Sequence, residues 1–170
     1  CGLPSAWIAL DETDNDPIHF MEHFTAALQM ILPGMRSDWV GGLSGMQQAQ
    51  LEPGLNLVLN EIGQHPAAFG LVLDDFHLIH SQAILEMVAA LLEHMPPQMH
   101  LVILSRTDPP LPLARLRARN QLVEMRAEQL RFTNPEIDIF LNQLMGLSLS
   151  EAELKAMEAR TEGWIAGLQL

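Results

Sequence analysis

Two short runs, "FGLVLDD" (69–75) and "HLVILSR" (100–106), are almost wholly apolar until they end in charge, and a single helical stretch separates them. The intervening "SQAILEMVAALLEHMPPQ" places Ile84, Leu85, Val88, Leu91 and Leu92 at helical spacing before Pro96 and Pro97 end the pattern. Strands apolar on both faces and joined by a helical crossover belong in a parallel sheet covered on both sides. The expected fold class is therefore α/β, a parallel sheet in three layers.

The flanking segments extend this order. "SAWIALDETDNDP" contains a short apolar strand, Ala6 to Leu10, and Asp16-Pro17 then reads as a helix start. Ile18, Met21, Phe24, Ala27, Leu28 and Ile31 follow at helical spacing until Pro33 and Gly34. The glycine-rich residues 34–54 read as a loop or a weak helix, and "LNLVLNEIGQH" as a helix before Pro66. A further strand is expected over "QLVEMRA" (121–127). Beyond Arg131 only helical spacing remains, with Thr133 or Asn134 as one cap and Ser148 or Ser150, followed by Glu151 and Glu153, as another. The expected division is an α/β portion over 1–131 and the start of a helical domain over 132–170.

Composition narrows the functional classes. The 48% hydrophobic and 18% charged content is that of a globular chain with a core. A net charge of -12 argues against direct binding of nucleic acid or an anionic membrane by bulk electrostatics. Cys1 is the sole cysteine, so neither an intrachain disulfide nor a multi-thiolate metal site can form. With no apolar run long enough to span a bilayer, a cytoplasmic setting is expected. Against the acidic background, Arg106, Arg115, Arg117, Arg119, Arg126 and Arg131 form a local cationic interval. For all of them but Arg106, pairing with the surplus acids accounts for the charge as well as a functional role does.

In open parallel sheets ligands lie at the carboxyl ends of the strands, where Asp74, Asp75, Ser105 and Arg106 are placed. A carboxylate there suits a hydrated magnesium ion, a second acid can orient a water, and an arginine can stabilise a terminal phosphate. Strands also end in polar residues for purely structural reasons. The phosphate-cradling loop G-x-x-x-x-G-K-[ST] is absent from the sequence, whose one lysine is Lys155, in the helical tail. His77 and His80 could join the two aspartates in a transition-metal cluster. His19 and His23, one helical turn apart, could share a metal, but with Phe20 and Glu22 between them they fit an amphipathic helix. The ten methionines read as flexible core fillers.

"AWIALDETDNDPIHF", "LVLDDFHLIH", "LVILSRTDPPLPLARLRARNQLVEMRAEQLRFT" and "RTEGWIAGLQL" together resemble the nucleotide-binding region of MalT-like, LuxR-type ATP-dependent transcriptional regulators, within the STAND class of P-loop ATPases. The resemblance implies a partial P-loop NTPase fold, with the Walker A strand and loop before these segments, and sensor repeats and a helix-turn-helix DNA-binding domain after them. "LVLDD" matches the Walker B strand: Asp74 would hold magnesium through water and Asp75 would be the acid nearest the attacking water. "LSR" matches the sensor strand, so Arg106 would approach the γ-phosphate. Arg115, Arg117 and Arg119, in the family's characteristic loop, are candidates for contacts with another protomer or a helical lid. His77 would shape the loop after the Walker B strand. "GWIAGLQL" departs from the Gly-x-Pro pattern of more distant relatives, which weakens any direct nucleotide contact from it.

The functional expectation is the central ATPase and switch segment of a transcriptional activator controlled by nucleotide and an inducer. ATP and magnesium are implied for the longer parent, which would act as a slow signalling ATPase and bind DNA through a separate domain. The segment alone is expected neither to hold nor to hydrolyse ATP, and an open slot in its sheet makes self-association an expectation. The competing readings are a nonenzymatic protein-protein interaction module and an Asp/His metal-dependent hydrolase.

Overall fold

The computed structural model describes residues 2–35, 51–164 and 167. The chain divides into two compact units, one up to Ala114 and one from Arg115. In the first, β1 (Ser5–Ala9), β2 (Phe69–Asp74) and β3 (Met99–Ile103) form a parallel sheet in the order β1-β2-β3. Trp7 is level with Val72, and Val72 with Val102.

Helices fill both crossovers. After a 3₁₀ turn at Glu12–Asn15, α1 (Pro17–Ile31) begins where expected. Asp16 caps it by accepting from the Ile18 and His19 N–H groups at 2.9 and 3.0 Å, and Pro17 supplies a preset first-turn φ. α2 (Leu51–Gln64) starts earlier than the apolar spacing alone indicates, with Pro53 in a first turn that leaves its missing N–H without consequence. Residues 36–50 of the glycine-rich stretch lie outside the described residues. α3 (Gln82–His94) connects β2 to β3.

One face of the sheet carries the core. Ala6, Ile8, Leu71 and Leu73 are buried in one cluster with Phe20, Met21, Phe24 and Leu28 of α1, Leu55, Val58 and Ile62 of α2, and Ile84, Val88 and Leu91 of α3. Each of the larger side chains among them contributes about 1.5–3 kcal/mol by leaving water. The Gln98 amide secures the end of α2, donating to the carbonyls of Ile62 and His65 at 2.8 and 3.1 Å.

The expected cover on both sides is met on one face only among the described residues. β1 alternates exposed and buried, and Trp7 and Val102 are 58% and 44% exposed on the opposite face. Topology explains the difference. Successive right-handed crossovers that step in one direction, β1 to β2 to β3, place every connecting helix on the same side. A second layer requires a reversal of direction, which these three strands do not contain.

The second unit is helical. It follows α4 (Leu113–Ala118), which carries the junction, and contains α5 (Ala127–Leu130), α6 (Asn134–Asp138), a π-helical turn at Ile139–Leu144 and α7 (Glu151–Thr161). Ile137, Leu141 and Leu154 form its small core, with Phe132 and Phe140 edge to face at 5.9 Å. Both expected caps form: the Thr133 and Ser150 N–H groups donate to Glu136 and Glu153, each at 2.8 Å.

The strand expected over "QLVEMRA" does not form. Val123 and Met125 are 88% and 72% exposed, so the alternation has no apolar surface to face. A strand needs a ladder partner, and none among the described residues lies beside this segment.

Candidate functional site at the carboxyl edge of the sheet

Asp74 is the last residue of β2, level with Ala9 of β1. The Leu10 N–H donates to its carbonyl at 3.1 Å, and the Leu104 N–H donates to Leu73 at 2.9 Å, so both neighbouring chains extend beside β2 up to the acids. The half-buried Asp74 turns Oδ1 back to accept from the Asp75 N–H at 2.8 Å. Its other carboxylate oxygen has no hydrogen-bond partner among the described residues.

Asp75 adopts the left-handed conformation, φ 53° and ψ 34°. That turn breaks the strand and starts a 3₁₀ segment at Phe76–Leu78, whose buried Phe76 anchors it in the core. The Phe76 N–H donates to Leu104 at 3.0 Å, tying the turn to the end of β3. The carboxylate of Asp75 is left 48% exposed. On β3's side, the Ser105 hydroxyl donates to the Thr107 carbonyl at 2.6 Å and Arg106 is exposed. Asp74, Asp75, Ser105 and Arg106 thus share one sheet edge.

The Asp/His metal cluster does not assemble around these acids. His77 Nδ1 is 3.8 Å from Asp75 Oδ1, and no set of three donors converges there among the described residues. The backbone of His80 is instead held by a residue that sequence reasoning passed over. Asn15 Oδ1 accepts from the His80 and Ser81 N–H groups at 2.6 and 2.9 Å, while its amide donates to the Leu78 carbonyl at 2.9 Å. Its signal was present in "DETDNDP", where an asparagine follows a cluster of acids just before a helix, but side-chain amides clamp distant loops without any sequence periodicity.

Arg115, Arg117 and Arg119 belong to the second unit. Arg117 makes a two-pronged contact with Glu124, Nε to Oε2 at 2.6 Å and a terminal nitrogen to Oε1 at 2.8 Å. Arg126 approaches the same carboxylate at 2.6 Å. The hydrogen bond from Arg117, together with both positive charges, lowers the Glu124 pKa to about 2. Arg119 is exposed. Of "GWIAGLQL", only Gly163, Trp164 and Gly167 are described. Gly163 accepts from the Phe132 N–H at 2.7 Å. A recess of about 430 Å³ in this unit, bordered by Arg131, Asn134, Glu158 and Glu162, holds none of the site residues expected from the sequence.

A three-stranded parallel sheet with paired acids and an arginine at its carboxyl edge, followed by a helical unit, is an α/β arrangement consistent with part of a P-loop NTPase-like domain. No family model matches the chain. It is 35% identical over 164 residues to the HTH-type transcriptional regulator MalT of Yersinia enterocolitica serotype O:8 / biotype 1B, and 34% identical to the MalT regulators of Yersinia pestis (strain Pestoides F) and Yersinia pseudotuberculosis serotype O:1b. These matches cover 96% of the chain and 18% of each relative. The chain is thus similar to one segment of the MalT regulators and spans about a fifth of their length. Among the described residues no helix is long and apolar enough to cross a membrane.

Proposed function

We propose that the chain is the central ATPase and switch segment of a nucleotide- and inducer-controlled transcriptional activator, completed by a phosphate-binding loop supplied from elsewhere in the parent. The observation that carries this reading is the placement of Asp74 at the end of β2, with Asp75 next in the chain and Arg106 three residues past the end of the adjacent parallel β3, within a segment similar to MalT over nearly its whole length.

The donor set fits a hydrated magnesium ion in chemistry: hard carboxylate oxygens, one on Asp74 without a hydrogen-bond partner among the described residues, with the nearest imidazole nitrogen, His77 Nδ1, held 3.8 Å from Asp75. When bound with ATP, magnesium would neutralise charge on the phosphates. Asp74 would hold the ion's water, and Asp75, exposed on its left-handed turn, would orient an attacking water. Arg106 would stabilise charge on the terminal phosphate. Without the phosphate cradle, most of the binding free energy is missing, so the chain alone should neither bind nor turn over ATP. In the parent, bound nucleotide and inducer would select between a resting form and one able to bind DNA through its separate domain.

The experiment is a magnesium-ATP titration of the parent extended upstream through its phosphate loop, with the present chain as control. Binding by the extended form alone, with turnover abolished in Asp74→Asn, supports the proposal. Turnover by the chain alone, or no binding by either form, overturns it.

The open sheet face favours a second reading, a nonenzymatic interaction module. Trp7, Val102 and Leu104 present apolar surface there. On that reading, upstream sequence adds no nucleotide binding.

A further inference from the structure

The 3₁₀ turn between β1 and α1 buries a carboxylate that sequence periodicity does not single out. Asp14 is fully buried, and its Oδ2 accepts from the Asp11 N–H at 2.8 Å. Its Oδ1 has no hydrogen-bond partner, yet Nδ1 of His23 and Nδ1 of His19 stand 2.8 and 3.2 Å from it. Neither contact has hydrogen-bond geometry, and the buried Nδ1 of His19 is also unpartnered. The two rings, on successive turns of α1, are 4.3 Å apart. Three ligand atoms on three residues therefore converge within 4.8 Å of one another while two of them lack any hydrogen bond.

An unpaired buried carboxylate oxygen is costly, and one imidazole donating along a good line would relieve it. Two imidazoles converging on one oxygen without such a line match a different demand. Donors about 2.0–2.2 Å from a tetrahedral ion lie about 3.3 Å from one another; the His19 separation of 3.2 Å matches that spacing, and the His23 separation of 2.8 Å falls short of it by about half an ångström. The same spot is electronegative, since Asp11, Glu12 and Asp16 surround Asp14 in sequence. His19 and His23 are 38% and 44% exposed on their side chains, which leaves a path to solvent for the ion and for a fourth, external ligand.

We propose that Asp14, His19 and His23 form a binding site for a divalent transition ion of the zinc class. Imidazole nitrogen excludes magnesium and calcium as its natural occupants, because both prefer all-oxygen shells. The ion joins the 3₁₀ turn to the first turns of α1. The next residue, Asn15, holds the loop after Asp74 and Asp75, so occupancy stiffens the segment that supports the carboxyl edge.

The test is a titration of the chelator-treated chain with cobalt(II), read by visible absorption, and with zinc(II), read by calorimetry. One equivalent of metal per chain should bind, with cobalt bands of a four-coordinate site. His19→Gln, His23→Gln and Asp14→Asn should each weaken binding by about 10-fold or more, the scale set by loss of even an outer-shell partner. His77→Gln and His80→Gln should leave it unchanged. Because His19 and His23 are partly exposed, their variants keep the fold by circular dichroism even if Asp14→Asn does not. Absence of saturable binding, affinity that survives both His19→Gln and His23→Gln, or affinity lost in His77→Gln overturns the site.

Discussion

Asn15 and His80 are joined across 65 residues of sequence by a hydrogen bond of 2.6 Å, His80 N–H to Asn15 Oδ1. With the bonds to Ser81 and Leu78, one half-buried side chain satisfies three backbone groups of the loop that follows the paired acids. Asn15→Ala leaves those groups unmatched and is expected to cost about 1–3 kcal/mol, since orphaned donors lose their full desolvation compensation. Chemical denaturation measures the cost. Hydrogen exchange at the His80 and Ser81 amides localises it, and unchanged protection there would contradict the clamp.

How far the sequence disclosed this arrangement depends on how local each signal is. Asp16-Pro17 and the spacing of Phe24 and Leu28 encode α1 within a single stretch, as Ile84, Val88 and Leu91 encode α3, and all five apolar residues are buried. Asp74 and Asp75 could be placed because a strand's end is visible where its apolar run stops. Val123 and Met125 misled because alternation describes a strand's faces and says nothing about whether a partner is present. The open face of the sheet escaped for a related reason: the apolar run of β2 before Asp74 is covered edgewise by Trp7 and Val102, neighbours in register, rather than by a second layer. Asp14 and Asn15 sit in adjacent positions whose importance arises only when the 3₁₀ turn points them to opposite tasks.

Among the described glycines of the second unit, Gly163 is the least open to replacement. Its φ is +76°, and a Cβ there would lie 2.6 Å from the Phe132 carbonyl oxygen. The Phe132 N–H meanwhile donates to Gly163. Gly163→Ala therefore combines left-handed strain with a clash against backbone, and a loss of about 1–3 kcal/mol is expected. The readout is the unfolding midpoint together with exchange at the Phe132 amide; a neutral result would mean that this contact does not form.

Acid should dissolve the Arg117-Glu124-Arg126 arrangement in a defined window. The Glu124 pKa falls from 4.5 to about 2, with the Arg117 hydrogen bond as the main cause. A lowered carboxylate pKa gives stabilisation that is fully present above the unfolded value and is lost as pH falls through the folded one. The stability difference between the native chain and Glu124→Gln should thus be constant above about pH 5 and shrink toward pH 2. A difference that instead disappears on raising pH would reverse the sign and refute the pairing.

Trp7 tests the open face. It is 58% exposed beside Val72 and Val102, and the covered remainder of its ring helps to bury Val72. Trp7→Asp should lower the stability of the isolated chain by about 1–2 kcal/mol, the scale of the apolar area it uncovers, without unfolding it. If the face joins copies of the chain, the same change should shift sedimentation toward monomer. Association unaffected by Trp7→Asp would place the contact elsewhere.

Asp75 offers a separation of stability from function. A non-glycine residue at φ 53° is strained by about 1–2 kcal/mol, less for aspartate, which tolerates the left-handed region better than most. Glycine removes that strain but adds freedom to the unfolded chain, so Asp75→Gly should change stability by no more than about 1 kcal/mol in either direction. Asp75→Asn keeps the shape and the conformational tolerance while removing the charge. In the parent bearing its phosphate loop, both variants should retain magnesium-ATP binding and lose most hydrolysis, because the carboxylate's proposed part is to orient water rather than to hold the nucleotide. Hydrolysis retained by Asp75→Asn would make the left-handed turn a structural device for ending β2 and would remove Asp75 from the chemistry.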